Sequence, residues 1–160
     1  MTSSAVERDV ILVLAFLNTL DAEGGTDVLD DPVAWRHWVH ERGLGAPGAS
    51  GEVRSARDAL RAAAAGEPDG TWPGVVLTAG IEQGVPALAD ADAVAGVLAA
   101  AVRIAVSGDW DRIKICPADD CRWAFYDRSR NRSRTWCSMQ VCGNRQKARS
   151  WRARARDARA

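Results

Sequence analysis

Four cysteines lie close together in the last third of the sequence and have the spacing of metal ligands. They form two C-x4-C pairs separated by fifteen residues. This pattern is typical of a tetrahedral structural zinc site, because each pair binds one edge of the ion and the insert lets the chain return. Four protein ligands leave no position for an activated water, so the pattern predicts one structural zinc ion and no catalytic metal. The predicted ligands are Cys116, Cys121, Cys137 and Cys142.

A thiol redox switch and four unrelated buried residues are the alternatives to a metal site. The matched spacing of both pairs disfavours chance. In the cytosol thiols stay reduced, which favours ligands over disulfides. The apolar segment Val10–Leu17 is eight residues long, follows acidic residues rather than a basic stretch, and precedes no small-residue cleavage site. It is also far shorter than the ~20 residues of a membrane span, so we expect a cytoplasmic protein that is not bound to membranes.

The residues around the cysteines predict a small zinc-dependent fold. Trp123–Tyr126 has the alternation of a strand, Asp127–Asn131 has the composition of a turn, and the chain returns through Arg132–Trp136. A helix-forming segment, Gly143–Ala160, follows the second pair. This order predicts a treble-clef-like finger with a β-hairpin and a C-terminal helix. Because the insert buries little apolar area, metal binding must supply its folding free energy.

Four further residues near the cysteines have expected structural roles. Gly143 follows a ligand directly, which permits a tight backbone approach or a positive φ. Asn144 can cap or tie the same turn. Trp123 and Trp136 lie next to cysteines, where we expect them to shield the sulfurs; the alternative is that they stack on bases.

Basic residues recur at regular spacings in the same part of the chain. Arg145, Arg149, Arg152, Arg156 and Arg159 step by four, three, four and three residues, so on a helix they form one stripe, here called the basic stripe. A second set consists of every other residue from Arg128 to Arg134, and these arginines would share one face if the segment 128–134 were extended. We expect both sets to contact nucleic acid. The predicted contacts are Arg128, Arg130, Arg132, Arg134, Arg145, Lys147, Arg149, Arg152 and Arg156.

The two parts of the chain carry opposite charges. Residues 1–109 hold 7 Lys/Arg and 16 Asp/Glu, a net of −9, whereas residues 110–160 hold 14 and 5, a net of +9. One zinc ion with four thiolates contributes about −2, so the basic part keeps about +7. Like charges at helical spacing repel, and phosphate contacts with counterion release relieve that repulsion. A solvated tail, or an internal latch onto the acidic part, is the alternative.

The remainder of the chain is predicted to be mainly helical, in an α+β class. We expect helices over Ala5–Leu20, from Pro32 to about Arg42, over Glu52–Ala65 and over Ala91–Val106. Asp30 or Asp31 is the expected cap of the second helix and Ser50 that of the third, with Gly43 and Gly66 as stops. Residues 75–78 are expected to pair through Gly80–Gly84 with residues 85–88, and Glu67–Gly74 is a turn cluster.

This helical part offers little chemistry. His37 and His40 lie three residues apart on the second helix, but no further ligands accompany them, so we expect surface or packing roles. Trp35, Trp38 and Trp72 could line a small-molecule pocket, although a place in the core is expected. We find no phosphate loop, nucleophile elbow or carboxylate pair. The sequence therefore predicts a protein that is not an enzyme.

The segment from Asp111 to Arg149 resembles the CGNR zinc-finger family over about forty residues. Its tetrapeptide C-G-N-R begins at Cys142, within the run W-A-F-Y-D-R-S-R-N-R-S-R-T-W-C-S-M-Q-V-C-G-N-R-Q-K-A-R. The resemblance implies zinc ligation by the four cysteines, and DNA binding through basic residues. The other positions that match its recurrent residues are Arg130, Asn131, Arg134, Trp136, Asn144, Arg145 and Lys147.

The beginning of the chain resembles the domain that usually precedes this finger, which is called ABATE and is regarded as a stress-induced transcription regulator. The resemblance lies in Phe16-Leu17-Asn18-Thr19 and in Asp31–Leu44. We therefore expect an ABATE-like helical domain at 1–108, here called the body, and a CGNR-type zinc finger with a basic helix at 109–160, here called the finger.

Together these observations predict a DNA-binding transcription regulator with a structural zinc ion. The body would sense a signal, for which a small-molecule ligand is the candidate, or it would mediate assembly. The alternative is a zinc-stabilised interaction adaptor, whose basic finger docks on an acidic partner or on its own body. Binding to RNA is a variant of the first hypothesis.

Overall fold

The computed structural model describes residues 4–67, 72, 74–89 and 92–157. These residues form a mainly helical fold with three short antiparallel hairpins. In chain order the elements are α1 Ser4–Leu17, β1 Leu20–Asp21, β2 Thr26–Asp27, α2 Pro32–Glu41, α3 Ser50–Ala65, β3 Thr78–Glu82, β4 Val85–Ala89, α4 Ala93–Val106, β5 Ile113–Ile115, β6 Ala124–Tyr126 and α5 Asn144–Asp157. The predicted α+β fold class is confirmed.

The main core forms around the packed helices α1 and α4, each of which carries apolar side chains at helical spacing. Phe16 of α1 lies 6.1 Å and 6.0 Å, between ring centroids, from Trp35 and Trp38 of α2. These two indoles stack at 4.9 Å and are both buried. The core role expected for both is therefore confirmed, and Trp72 packs against the same cluster.

The β5–β6 hairpin belongs to this core as well as to the finger. Ile113, Ile115 and Ala124 are buried among residues of α1, α3 and α4. The register pairs Ile113 with Tyr126 and Ile115 with Ala124. A second, smaller cluster of buried side chains lies beyond this hairpin and consists mostly of cysteines.

Two polar contacts fasten the hairpin to the body. Asn18 donates from Nδ2 to the carbonyl of Ala124 at 2.9 Å and accepts the Ala124 N–H at 2.8 Å, as a neighbouring strand would. Arg61, which is buried, donates to the carbonyls of Leu17 and Arg122 at 2.6 Å and 2.7 Å. One guanidinium thus joins the end of α1 to the loop beside the cysteines.

A buried ion pair joins α3 to β2 within the body. Arg57 of α3 is 2% exposed and donates to Asp27 Oδ1 at 2.6 Å, while Arg54 contacts Oδ2 of the same carboxylate. Thr19, also buried, accepts a hydrogen bond from Arg57 at 3.3 Å. All four residues of Phe16–Thr19, the segment noted in the sequence, therefore make packing or hydrogen-bond contacts that hold the end of α1 in the body.

Helix boundaries follow the local signals in most places. Asp31 caps α2 by accepting the Val33 N–H at 2.8 Å, and Pro32 occupies the first helical position. Gly43 and Gly66 adopt positive φ angles just beyond α2 and α3, as expected. The first helix ends at Leu17 rather than Leu20, because the Phe16 and Leu17 carbonyls bond to Thr19 and Arg61.

Three predictions of local structure are wrong. Ser50 does not cap α3, since Ala49 occupies the cap position without a side-chain hydrogen bond. Residues 75–77 lie outside β3, which begins at Thr78 and turns at Gln83–Gly84. The strand at 124–126 pairs with β5, which precedes the first cysteine, and not with 132–136. Most of the predicted turn cluster 67–74 lies outside the described residues.

His37 and His40 are exposed on α2, and His37 Nε2 lies 3.1 Å from Glu41 Oε1. The surface role expected for them is confirmed. Within the described part of the chain, we find no helix with the length and apolarity needed to cross a bilayer.

Candidate metal centre

The four cysteine sulfurs converge on one point. Their Sγ atoms all lie within 4.8 Å of one another, with 3.5 Å between Cys121 and Cys137 and 3.6 Å between Cys137 and Cys142. Bonds of about 2.3 Å in a tetrahedral zinc site place sulfurs roughly 3.8 Å apart, so the cluster fits one zinc ion. Three of the four residues are buried, and Cys137 is half-buried.

The first pair is positioned by a turn between β5 and β6. The Cys116 N–H donates to the Trp123 carbonyl at 2.8 Å, which continues the hairpin by one step. The N–H groups of Cys121 and Arg122 both donate to the Ala118 carbonyl, at 2.9 Å and 3.1 Å. Arg122 adopts φ +54° just after Cys121, where the chain turns into β6.

Of the second pair, Cys142 lies on a widened helical turn, Met139–Gly143, which leads directly into α5, and Cys137 lies just before this turn. Ser138 caps this turn by accepting the Val141 N–H at 3.3 Å. Asn144 donates from Nδ2 to the Gln140 carbonyl at 3.1 Å, so it ties the turn as expected. The orientation of α5 is therefore set by the backbone that carries Cys142.

Gly143 lies in tightly packed surroundings, and its φ angle is not one that favours glycine. A Cβ atom at this position would lie 3.3 Å from Trp136 Cδ1, and it would overlap the terminal atoms of Met139. Of the two roles expected for this glycine, the tight backbone approach is the one that the structure supports.

The thiols have unequal proton affinities before a metal binds. Burial raises the pKa of Cys142 to about 11 and raises that of Cys137 further, with the neighbouring thiols adding to the effect at Cys137. At Cys116 burial is outweighed by hydrogen bonds from the backbone of Cys137 and Ala118, and the pKa is lowered. Four thiolates without a cation would repel one another, so a zinc ion supplies the charge that this arrangement requires.

A buried carboxylate organises the loop between the two pairs. Asp127 is fully buried and accepts three hydrogen bonds, from Lys114 Nζ at 2.7 Å and from the N–H groups of Ser129 and Arg134 at 2.8 Å and 2.9 Å. Burial alone would raise the pKa of this carboxyl, but these donors hold it far below its ordinary value. The sequence showed Asp127 only as one of several polar turn residues, so its role was missed.

The arginines that alternate along 128–134 do not share one face. The segment is not a strand, and Arg132 adopts φ +52°. Arg128 lies 3.7 Å from Glu7, and Arg132 lies 3.2 Å from Asp111. Arg134 donates to the carbonyls of Trp136 and Cys137 and covers the Phe125 ring at 5.0 Å. The extended face predicted for this set is therefore wrong, because the loop folds around Asp127. Arg130 is exposed.

The basic stripe is confirmed as a feature of α5, although Arg159 lies outside the described residues. At its beginning the stripe is paired with carboxylates. Arg145 lies 2.7 Å from Glu23 of the body and 3.6 Å from Asp120, and Arg149 lies 2.7 Å from Asp120. Arg152 and Arg156 are exposed further along the helix, as is Lys147 on another face.

Trp123 and Trp136, the two tryptophans expected to shield the sulfurs, contact the cysteine cluster in different ways. Trp136 packs against the cysteine cluster, as expected of a residue that shields sulfur. Trp123 is 40% exposed and lines a cavity of about 460 Å³ together with Cys121, Cys137 and Cys142. It therefore borders the cluster while leaving part of its ring in solvent.

The fold and the site define a class of protein, a helical body that carries a four-cysteine zinc finger. Comparison with family models agrees. Residues 11–124 match ABATE, described as “putative stress-induced transcription regulator”, and residues 112–155 match the CGNR zinc finger. Since the first match covers more than half of the chain, the protein belongs to the ABATE family, with a CGNR zinc finger that binds one structural zinc ion. No curated protein matches the chain significantly.

The two family matches overlap at residues 112–124, which contain β5 and the first cysteine pair. The domain boundary at 108 and 109 stays a prediction. What the geometry shows is a shared segment that contributes to the body core and to the metal site at once.

Proposed function

We propose that this protein is a DNA-binding transcription regulator in the cytoplasm, with a zinc ion that is structural and no enzymatic activity. The observation that supports it is the composition and placement of α5. Six basic residues and one acidic residue give this 14-residue helix a formal charge of +5. Its side chains from Arg145 to Arg156 are exposed or half-exposed, and its orientation is set by the turn that carries Cys142.

A helix of this charge is destabilised in isolation, because its arginines repel one another at three- and four-residue spacing. Contact with phosphates removes the repulsion and releases counterions. Arg152 and Arg156, which are exposed, would contact phosphates directly. Arg145 and Arg149 would first exchange their carboxylate partners for phosphates. The contacts position the helix on the backbone and carry no sequence information by themselves.

The test is a salt titration of the zinc-loaded full chain on a fluorescent duplex. With about 0.9 counterions released per phosphate, we expect log K to fall against log salt with a slope of about −2 for Arg152 and Arg156 alone, approaching −4 if all four stripe arginines engage. The double variant Arg152→Gln/Arg156→Gln should flatten the slope by about 2. Arg36→Gln, on the exposed side of α2, is the matched control and should change nothing. Absence of binding at 20 mM salt would refute the proposal.

A second candidate function, an internal latch, is favoured by the ion pairs between finger and body. Arg145, Arg128 and Arg122 lie within 4 Å of Glu23, Glu7 and Glu67 respectively. These pairs are exposed, and ion pairs in solvent contribute little to stability. Such a latch is weak enough for DNA to displace it.

Glu23→Gln distinguishes the two roles. If the latch competes with DNA, removal of this carboxylate should tighten duplex binding several-fold at low salt, with the zinc content unchanged. Glu52→Gln, an exposed residue in the first turn of α3, is the control. Equal affinities of Glu23→Gln and the native chain would rule out the latch and leave DNA binding untouched.

A further inference from the structure

The middle of α5 exposes a tryptophan beside the basic stripe. Trp151 is 66% exposed, although indole is among the side chains that gain most from burial. A shallow groove of about 580 Å³ runs along the helix there. One wall is formed by Trp151 and Ala155, and the other by Arg149, Arg152 and Arg156.

Helical geometry explains this pairing of an aromatic wall with a cationic wall. At about 100° per residue, the stripe arginines fall within an arc of roughly 60°, and Trp151 projects about 100° from Arg152 with Ala155 between them. The Ala155 side chain between them is small, and two thirds of Trp151 is exposed. The flat apolar ring of Trp151 therefore lines the same groove as the guanidinium groups of Arg152 and Arg156.

Phosphate binding alone does not explain the indole. Six basic residues on α5 already supply the electrostatic attraction, and an arginine or alanine at position 151 would serve that purpose equally well. An exposed aromatic ring beside arginines is the arrangement by which proteins bind single nucleotides of a strand, with the base on the ring and the phosphate on the cation. Every base has such a face, so the contact requires no particular sequence.

A lipid surface or an apolar peptide fits this helix poorly. A helix that lies on a membrane needs an apolar face along its length. Apart from Trp151, the apolar side chains of α5 are alanines, separated by charged residues. The ligand chemistry that matches one isolated ring among cations is a nucleobase next to a phosphate.

Building on the proposed function, we infer that Trp151 stacks on an exposed nucleobase while Arg152 and Arg156 hold the adjacent phosphates. In intact duplex DNA the base faces are covered by their neighbours, so the ring can reach base edges but no face. The preferred ligand is therefore DNA with an unstacked base, as at a gap, a bulge or a locally opened step.

The experiment uses the zinc-loaded full chain and two fluorescent probes of identical sequence, an intact duplex and the same duplex with a single-nucleotide gap. Native protein should bind the gapped probe at least about 5-fold more tightly. Trp151→Ala should lose about 5- to 150-fold on the gapped probe, the range measured for one base stacked on an aromatic ring. On the intact duplex it should lose much less. Trp151→Phe, which keeps a flat ring, should recover most of the loss.

The salt dependence separates this contact from electrostatic ones. Trp151→Ala should lower the affinity for the gapped probe at every salt concentration without a change of slope, whereas Arg152→Gln/Arg156→Gln should flatten the slope. Since Trp151 is exposed, its variants should keep the native zinc content and unfolding midpoint, which are measured in parallel. Equal binding of native protein and Trp151→Ala to the gapped probe, with a steep slope in both, would overturn the stacking contact and leave the proposed function intact. No binding of either probe at 20 mM salt would instead refute the proposed function.

Discussion

At the scale of single residues, a metal ion holds the four cysteines together, whereas burial and hydrogen bonds hold the ionic side chains of Asp127 and Arg57. Four cysteines in two matched pairs are recognisable because a metal fixes both the residue type and its spacing. Asp127 and Arg57 carry no such signature. Each is a common polar residue whose role depends on burial among groups that are distant in sequence, and burial of that kind cannot be deduced from local pattern.

Asp127 is expected to support the metal site from outside it. Asp127→Asn replaces one acceptor oxygen by a donor facing an N–H group, and it leaves Lys114 Nζ without its carboxylate. We expect a loss of about 2 kcal/mol in unfolding free energy. Because Arg134 links this carboxylate to the Cys137 carbonyl, zinc affinity in a chelator competition should also fall about 10-fold.

Asp119→Asn is the matched control for that prediction, since Asp119 lies between the first two cysteines but is exposed. It should leave both quantities unchanged. Native-like stability and zinc affinity in Asp127→Asn would show that the loop does not depend on its buried carboxylate.

The buried Asp27 should make the body sensitive to acid. Burial raises the pKa of this carboxyl, but Arg57, the Leu29 N–H and Arg54 together lower it below its ordinary value of 3.8. A carboxyl with a lowered folded pKa stabilises the protein fully above its unfolded pKa and loses that contribution as the pH falls through the folded pKa. Asp27→Asn should therefore cost about 3 kcal/mol at pH 7.

The measurement is urea unfolding of native protein and Asp27→Asn between pH 7 and pH 3. Their difference should stay constant down to about pH 5 and shrink below about pH 4. Asp30→Asn removes an exposed partner of Arg54 and should cost less than about 1 kcal/mol at every pH. A difference that does not change with pH would contradict the assignment of this pair.

At the scale of elements, the helices and, with shifted bounds, the β3–β4 hairpin were predicted, whereas the partner of β6 was not. Pro32, Asp31 and the glycines after α2 and α3 act within a few residues, so the sequence contains the whole signal. The partner of β6 lies before the first cysteine, and β5 is three residues long. A segment of that length has too little alternation to be recognised, and its pairing is decided by the metal and by the body core.

The contact between Asn18 and Ala124 joins elements that are 106 residues apart. Asn18→Ala would leave the N–H and carbonyl of the buried Ala124 without partners. We expect a loss of about 2–3 kcal/mol in unfolding free energy, measured by urea titration with zinc bound. Asn131→Ala, in the exposed part of the finger loop, should cost less than about 0.5 kcal/mol. A similarly small cost for Asn18→Ala would show that the hairpin needs no such anchor.

At the scale of the whole molecule, the opposite charges of body and finger were evident from composition, but their mode of contact was not. Charge patterning predicts attraction and does not specify a surface. The strongest connections turned out to be short-range and buried. They are the apolar side chains of β5 and β6 in the body core, and the Arg61 guanidinium that bonds to both Leu17 and Arg122.

This connection predicts that zinc stabilises the body as well as the finger. Metal binding contributes roughly 10–16 kcal/mol to the folding of isolated zinc-finger peptides at pH 7. If the finger were independent, a chelator would unfold it and leave the body transition unchanged. Because Cys116 and Cys121 flank the turn that joins β5 to β6, loss of the ion should instead loosen a hairpin that fills the body core.

We expect a chelator to lower the thermal midpoint of the body by several degrees. The midpoint is measured by far-UV circular dichroism at the helical signal. Cys116→Ser should show the lowered midpoint without chelator and no further response to it, and re-addition of zinc should restore the native midpoint only in the unsubstituted chain. A helical transition that keeps its midpoint when the metal is removed would mean that the two parts fold separately, and that the shared hairpin is held by the body alone.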